Sequence, residues 1–398
     1  MKIWYISKYA TPNTRHFHLS AEWAKLGHEV YVITSNTSYK RGTWKQVNKK
    51  CTNEKFNGFN VVWLKTYLNK KNAGIERIKS WFHFEWQLFS CKKKGIAKPD
   101  VVIVSSLSLL TVINAYVFSR RYNAKLIFEV RDIWPLSAMV LGGYSKYNPF
   151  ILMLSIIERF GYRKSNAIVG TMPNLREHVG NIIGTEDKVY CIPQGLSLDF
   201  YKRSKPLDQE YLAKYIPQGK FIVMYTGTLN ANNPLQDLIT AAKLLKEDKR
   251  IHFIIVGEGY EKENLRKLAG NLSNVSFPPF VDKLQVNHLL SFASVCYDSF
   301  DSLLAKYGLS RNKWIDYMFA GKPILCAYSG YQSMINEADS GTFVSFGNVK
   351  LLEETILKYA EMDNEQLRRI GSRGREFLLE KRTFDKLAKE YINIIDRH

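Results

Sequence analysis

Lys306-Tyr-Gly-Leu-Ser-Arg-Asn-Lys313, continuing through Trp314-Ile-Asp-Tyr-Met-Phe-Ala-Gly-Lys-Pro-Ile324, reads as a loop, a helix and a buried strand. Ser310 is a favourable N-cap for a helix over 311–320, and such a helix directs unpaired backbone N–H groups and the positive end of its dipole into the loop. Arg311 and Lys313 put two cations in the first turn, where they oppose the macrodipole unless an anion lies against them. Two readings fit this conflict: a diphosphate bound at the helix start, or a solvated basic turn.

The same grammar of strand, loop and helix runs outward from this segment in both directions. In the first half, strands are expected at 2–7, 29–34, 61–64, 101–104, 125–130 and 167–170, with helices over 15–26, 75–94, 109–121 and 150–164. The second half restarts after Ile192-Pro-Gln-Gly195. Its strands are expected at 221–225, 252–256, 275–277, 294–297 and 323–327. Short runs such as Val101-Val-Ile-Val104 are apolar on both faces, as parallel strands covered by helices on two sides require. The fold class is therefore α/β, with two doubly wound domains at about 1–200 and 201–382. An amphipathic helix near 383–396 closes the chain. The uncharged stretch 101–119 is not a membrane span, because its serines, Thr111 and Asn114 dilute it below the usual hydrophobicity of one.

A chain of 398 residues, 45% of them hydrophobic, can bury two cores. Its 57 Lys and Arg against 37 Asp and Glu leave a net +20, which favours anionic partners: nucleotide phosphates, acidic lipid headgroups or nucleic acid. Cys51, Cys91, Cys191, Cys296 and Cys326 are scattered without a Cys-x-x-Cys spacing, so neither a disulfide framework nor a zinc site is expected. The N-terminal apolar run is too short for a signal peptide, and the expected location is the cytosol.

Glycines fall where strands end. Tyr225-Thr-Gly-Thr-Leu229 and Val256-Gly-Glu-Gly-Tyr260 each open toward a helix, but neither is the Gly-x-Gly-x-x-Gly of a dinucleotide oxidoreductase. Taken in order with Asn274-Val-Ser-Phe277, Asp316-Tyr-Met-Phe-Ala-Gly-Lys-Pro323, Gly27-His-Glu-Val30 and Glu129-Val-Arg-Asp-Ile-Trp-Pro135, they resemble the retaining GT-B glycosyltransferases of bacterial family four. Within that family the chain resembles the group making O-antigen and capsule, N-acetylfucosamine transferases included. The resemblance covers nearly the whole chain.

That resemblance implies two Rossmann-like domains facing across a cleft, with the last helix crossing back onto the first. It implies transfer of a sugar, N-acetylated or 6-deoxy, from a UDP-sugar to a polyprenyl-diphosphate-linked saccharide. No cofactor and no metal is required, in keeping with a sequence that has no Asp-x-Asp cluster. Donor-binding positions fall at Gly227, Thr228, Glu258, Gly259, Phe280, Ser310, Arg311, Asn312, Lys313 and Asp316, with the Asp316 carboxylate accepting from the ribose hydroxyls. Two departures stand out. Gly308 occupies the place of the family's first motif acid, and Thr228 and Asn233 occupy the places of its usual basic pair, so Arg311 and Lys313 must neutralise the diphosphate. In the first domain Arg131 and Asp132, with Glu129, are the expected catalytic group, and Arg15, His16 and His18 the acceptor side. A structural Arg–Asp ion pair is the other reading of the first pair.

In the segment 75–94, Trp81, Phe82, Trp86 and Phe89 are expected on one broad helical face, with Arg77, Lys79 and Lys92 to Lys94 at its ends. The segment reads either as a helix lying on an anionic membrane surface or as a core helix with charged ends. The first reading gives a peripheral protein on the inner face of the cytoplasmic membrane. No helix-turn-helix, zinc-finger or RNP pattern supports nucleic acid as partner. The rival functions are a basic nucleic-acid-binding protein and a GT-B epimerase, hydrolase or phosphorylase.

Overall fold

The computed structural model describes residues 1–38, 42–43, 45–67, 74–91 and 95–398. The chain divides into two compact units, Met1–Pro193 with Phe384–His398, and Gln194–Thr383. The break thus falls a little before residue 200.

In the first unit the elements run β1 Lys2–Ile6, α1 Arg15–Lys25, β2 Glu29–Ser35, β3 Thr37–Ser38, β4 Gly42–Thr43, β5 Cys51–Phe56, β6 Phe59–Leu64 and α2 Gly74–Ser90. There follow β7 Val101–Ser105, α3 Thr111–Tyr122, β8 Lys125–Val130, α4 Leu136–Gly142, α5 Pro149–Lys164, β9 Ala167–Gly170, α6 Leu175–Ile183 and β10 Val189–Cys191. Eight strands form one sheet in the order β10-β9-β8-β7-β1-β2-β6-β5, parallel except for β5. Alternation in the strands decides which side chain meets which helix layer. Ile3, Tyr5, Ile103 and Ile127 pack with Phe17 and Trp23 of α1 and with Leu387 and Tyr391 of the final helix, where Trp23 Nε1 donates to the Ala388 carbonyl at 3.1 Å. On the other side Trp4 meets Phe118 of α3 edge to face at 5.7 Å.

The second unit comprises α7 Leu198–Tyr201, α8 Gln209–Tyr215, β11 Phe221–Thr226, α9 Gln236–Leu244, β12 Ile251–Val256, α10 Lys262–Ala269, β13 Val275–Ser276 and α11 Val286–Ser291. It continues with β14 Val295–Phe300, a 3₁₀ turn at Leu303–Tyr307, α12 Asn312–Phe319, β15 Ile324–Tyr328, β16 Gly341–Val344, α13 Val349–Ala360 and α14 Asn364–Lys381. The chain returns to the first unit in α15 Phe384–Arg397. The sheet order β13-β12-β11-β14-β15-β16 is wholly parallel. Met224, Ile254, Cys296 and Cys326 face Trp314 and Met318 of α12. Their neighbours Val223, Phe253, Val295 and Leu325 face Leu238 and Ile356 of α9 and α13. Each unit is an open α/β sheet with helices on both faces, the architecture of the GT-B class.

Two expectations need correction. Cys51 and Cys91 form a disulfide across 40 residues with Cα atoms 6.5 Å apart; neither position carries a local motif that would pair them. In α2, Trp81, Phe84 and Leu88 are buried, whereas Phe82, Trp86 and Phe89 are exposed. Trp81 therefore does not share the outward face, because at 100° per residue it belongs to the inward stripe with positions 84 and 88. Lys92 to Lys94 lie outside the described residues.

Candidate functional site

In the second sheet, β11 and β14 lie side by side and the crossovers that follow them depart in opposite directions. Ligands in open α/β sheets bind beyond the strand ends at such a point. A cavity of about 570 Å³ opens there, and its walls include Gly227, Thr228, Glu258, Phe280, Ser310, Arg311, Asn312, Lys313 and Asp316. Of the donor-side residues expected from sequence, Gly259 alone stays behind the wall. A Cβ on Gly259 would come 1.9 Å from the Leu229 carbonyl oxygen, and one on Gly257 would come 1.8 Å from that of Gly227. The two turns touch only because neither residue has a side chain.

Helix α12 begins one residue later than expected. Arg311 is the N-cap, with φ −99° and ψ 135°, while Ser310 Oγ accepts instead from the Gln194 backbone N–H at 2.7 Å. Gly308, where the family's first motif acid would stand, has φ +81°. An acidic side chain in that backbone conformation would be strained.

The charge conflict read from the sequence is partly resolved from within. Asp298, fully buried in β14, lies 3.1 Å from Arg311 Nε and 3.0 Å from Lys313 Nζ, and it accepts from Trp314 Nε1 at 2.8 Å. Two cations share one carboxylate, which leaves one net positive charge beside the first-turn amides of α12. Burial, reinforced by repulsion from Arg311 and opposed by attraction to Asp298, draws Lys313 down to about 8. Asn233 orients both cations: its Oδ1 accepts from Arg311 Nη2 and, at 3.4 Å, from Lys313 Nζ, while its Nδ2 donates to the Thr228 carbonyl at 2.9 Å. Lys313 also donates to the Tyr225 hydroxyl at 2.9 Å. The residue that reads as a missing cation is thus the support for the two that are present.

Asp316 projects from the same face one turn later. Its Oδ1 accepts from the Tyr201 hydroxyl at 2.6 Å and its Oδ2 from Lys283 Nζ. Lys283 is half exposed and can exchange its carboxylate for another partner, whereas Tyr201 is held by a ring contact with Phe319 at 4.1 Å. Sequence reasoning missed Asp298, Lys283 and Tyr201. Asp298 sits 13 residues before Arg311, one position past the strand expected at 294–297, and the other two reach Asp316 over 33 and 115 residues. Glu258 is exposed and pairs with Lys262 at 2.6 Å.

The first-unit expectations fare differently. Glu129 is fully buried and accepts from Arg15 Nε at 2.9 Å and the Tyr5 hydroxyl at 2.7 Å. Despite burial, the adjacent Arg15 and Arg131 charges and the Tyr5 hydrogen bond hold its carboxyl down at about 2. Arg15 also donates to the carbonyls of Pro193 and Ile192. His16 is 0% exposed, bonded to Ser105 Oγ at 3.0 Å and driven down to about 3 by burial and the neighbouring Arg131 charge. Glu129, Arg15 and His16 therefore belong to the interior ion-pair network of the unit and present nothing to a substrate. His18 stacks on Phe384 at 4.7 Å. Asp132 does not pair with Arg131; it accepts from Trp134 Nε1 at 2.9 Å and from Ser137 Oγ, fastening the turn into α4. Arg131 is half-buried, its Nε without a hydrogen-bond partner.

Residues 209–377 match the family model described as Glycosyl transferases group 1. The chain is 23% identical over 269 residues to the colanic acid biosynthesis glycosyl transferase WcaI of Escherichia coli K12, covering 65% of each. It is 26% identical over 223 residues to the glycosyltransferase EpsD of Bacillus subtilis 168, covering 54% of this chain and 56% of the relative. The alignments thus span less than two thirds of either relative's length. Solved structures of the same fold include a sucrose-phosphate synthase from Thermosynechococcus elongatus (TM-score 0.74, 15% identity, 100% of this chain and 98% of that one). Anabaena HepE in complex with UDP has a TM-score of 0.68 at 13% identity, with both chains wholly covered.

Proposed function

We propose that the chain is a retaining GT-B glycosyltransferase that takes a sugar from UDP and delivers it to a polyprenyl-diphosphate-linked saccharide in O-antigen or capsule assembly. One observation carries the donor side: Arg311 and Lys313 flank a single buried carboxylate at the start of α12 and keep one uncompensated positive charge beside free backbone amides. That arrangement suits the two phosphates of a nucleoside diphosphate. Asp316, one turn along, is the acceptor for the ribose hydroxyls, and Lys283 is released from it as the nucleotide binds.

In this reading the glycosidic C–O bond to the β-phosphate breaks as the acceptor hydroxyl approaches from the same face. The departing phosphate oxygen takes the acceptor's proton, so the protein stabilises growing negative charge on UDP rather than supplying a base. The reaction needs no metal and no cofactor. An N-acetylated or 6-deoxy donor is taken from the resemblance to O-antigen and capsule enzymes; the relative WcaI is named for colanic acid biosynthesis.

The membrane reading is supported by Phe82, Trp86 and Phe89 of α2, Ile113 and Val117 of α3 and Leu152 and Ile156 of α5, all exposed, on helices that carry Arg120, Arg121, Arg159 and Arg163 at exposed positions. Apolar and basic groups together suit an anionic bilayer surface. No helix among the described residues is long and apolar enough to cross a membrane. Vesicle binding that depends on acidic lipid supports a peripheral site on the inner leaflet; none at low salt removes it.

The deciding experiment is thermal unfolding with UDP and EDTA, against GDP and CMP. Saturation at a hundred times Kd adds about 2.7 kcal/mol. Selective stabilisation by UDP supports a metal-free UDP-sugar site, and equal response to all three or to none overturns it. Release of free sugar without acceptor would favour a hydrolase.

A further inference from the structure

The first sheet has its own switch point, between β1 and β7, where the crossovers to β2 and to β8 diverge. Lys8 leaves the end of β1 there. It is only 2% exposed, and its Nζ donates to Ser80 Oγ of α2. Arg77, one turn earlier on α2, lies against two indoles, 5.2 Å from the Trp81 ring and 5.6 Å from the Trp134 ring. Trp81 and Trp134 meet edge to face at 5.4 Å, and Trp81 Nε1 donates to the Tyr9 hydroxyl at 2.9 Å. The guanidinium is thus fixed on a rigid aromatic platform, yet its Nε is buried with no hydrogen-bond partner.

Neither cation has a carboxylate within ion-pair distance among the described residues, and the residues outside that set include no Asp or Glu. Glu85 comes closest in charge to Lys8, but its oxygens are taken by Thr111 at 2.6 Å, Asn114 at 2.8 Å and Ser108 at 3.3 Å. Burial pushes Glu85 up to about 7, so it is a partly neutral acid near neutral pH. Burial and the Arg77 charge draw Lys8 down to about 7 against the pull of Glu85. A desolvated lysine beside a like charge and without a carboxylate is costly unless an anion completes the site.

From this juxtaposition, Lys8 held by Ser80 and Arg77 held by Trp81 and Trp134 at the first switch point, we infer a second, separate anion site that takes the phosphate or diphosphate of the acceptor. Identifying that anion with the acceptor rests on the glycosyltransferase reading; the anion site itself does not. Arg15 and His16 are replaced in this role because they are committed to the interior, and His18 because its ring is stacked on Phe384.

The test titrates inorganic pyrophosphate by calorimetry into the full chain already saturated with UDP, so that the second-unit cavity is filled. A further binding event is expected, weakened about tenfold or more in Arg77→Gln and in Lys8→Met, as loss of a charge-assisted contact implies. UDP affinity should stay within about twofold of the parent, which reports that both variants fold and that the donor site is untouched. Lys79→Gln is the control, because Lys79 is exposed on the same helix and already paired with Glu76 at 3.0 Å. No pyrophosphate binding to the UDP-saturated protein overturns the inference, as does equal weakening by Lys79→Gln, which would mean diffuse charge only. Failure to bind UDP at all would instead strike the donor reading. Farnesyl diphosphate identifies the source: tighter binding than pyrophosphate assigns a lipid-borne diphosphate, and equal binding assigns a free or soluble one.

Discussion

Replacing Lys313 with methionine tests the donor site where its charge balance is narrowest. The trio Arg311, Lys313 and Asp298 passes from a net +1 to zero, while methionine keeps most of the stem volume against the Tyr225 ring, which Lys313 now meets at 4.2 Å. A charge-assisted hydrogen bond of this kind is worth about 1.5–3 kcal/mol, and about 1.4 kcal/mol corresponds to a factor of ten. UDP should therefore bind roughly 10- to 150-fold more weakly, measured by calorimetry with EDTA present. Asp298 keeps Arg311 and Trp314 as partners, so the loss of stability should be small and the circular dichroism spectrum unchanged. Asp298→Asn is the opposing control, because it raises the net charge and should not weaken UDP binding even though it destabilises the fold. A folded Lys313→Met protein that binds UDP within about twofold of the parent refutes the reasoning, since the phosphates would then be neutralised elsewhere.

Four further outcomes follow from contacts described above. In the free protein Lys313 loses its proton near 8, so UDP affinity should be flat below that pH and fall above it, with one proton taken up on binding; Lys313→Arg should flatten the profile, since guanidinium stays charged. The unfolded chain binds more protons than the native one between about 8 and 10.5 at this residue, so stability without nucleotide should rise with pH across that window in wild type, and less so in Lys313→Arg. Asp316→Asn should cost more against UDP than against 2′-deoxy-UDP, and an unchanged ratio in competition binding would remove the carboxylate from the ribose. Glu129→Gln strips the buried Arg15 of its charge partner and should cost about 3–5 kcal/mol in urea unfolding, with UDP affinity preserved in whatever fraction stays folded; a stable protein with lost UDP binding would return Glu129 to the site.

The parts of the structure that a sequence determines by itself are those whose cause is local. Strand β7 and helix α3 are legible in residues 101–121 because an apolar run of strand length followed by a basic-ended helix has few other solutions, and α12 is legible because a loop, a polar start and a buried strand succeed one another within about twenty residues. Glycine turns at 227 and 257–259 mark strand ends for the same reason. The chemistry of the site depends instead on pairs brought together by the sheet order. Asp298 reads as an acid just past an expected strand until α12 is packed against β14, when it becomes the anion under Arg311 and Lys313. Asn233 reads as an absent cation until its amide is seen to orient both. Glu129, Arg15 and His16 carry the residue types of a catalytic group, but the helix layer of α1 and α15 closes over them, and burial converts them into an interior network. Lys8 and Arg77, 69 positions apart in the chain, become neighbours only because α2 crosses the end of β1. Periodicity and turn chemistry act over a few residues and can be read directly, whereas which charges share a low-dielectric space is decided by contacts that only the folded sheet creates.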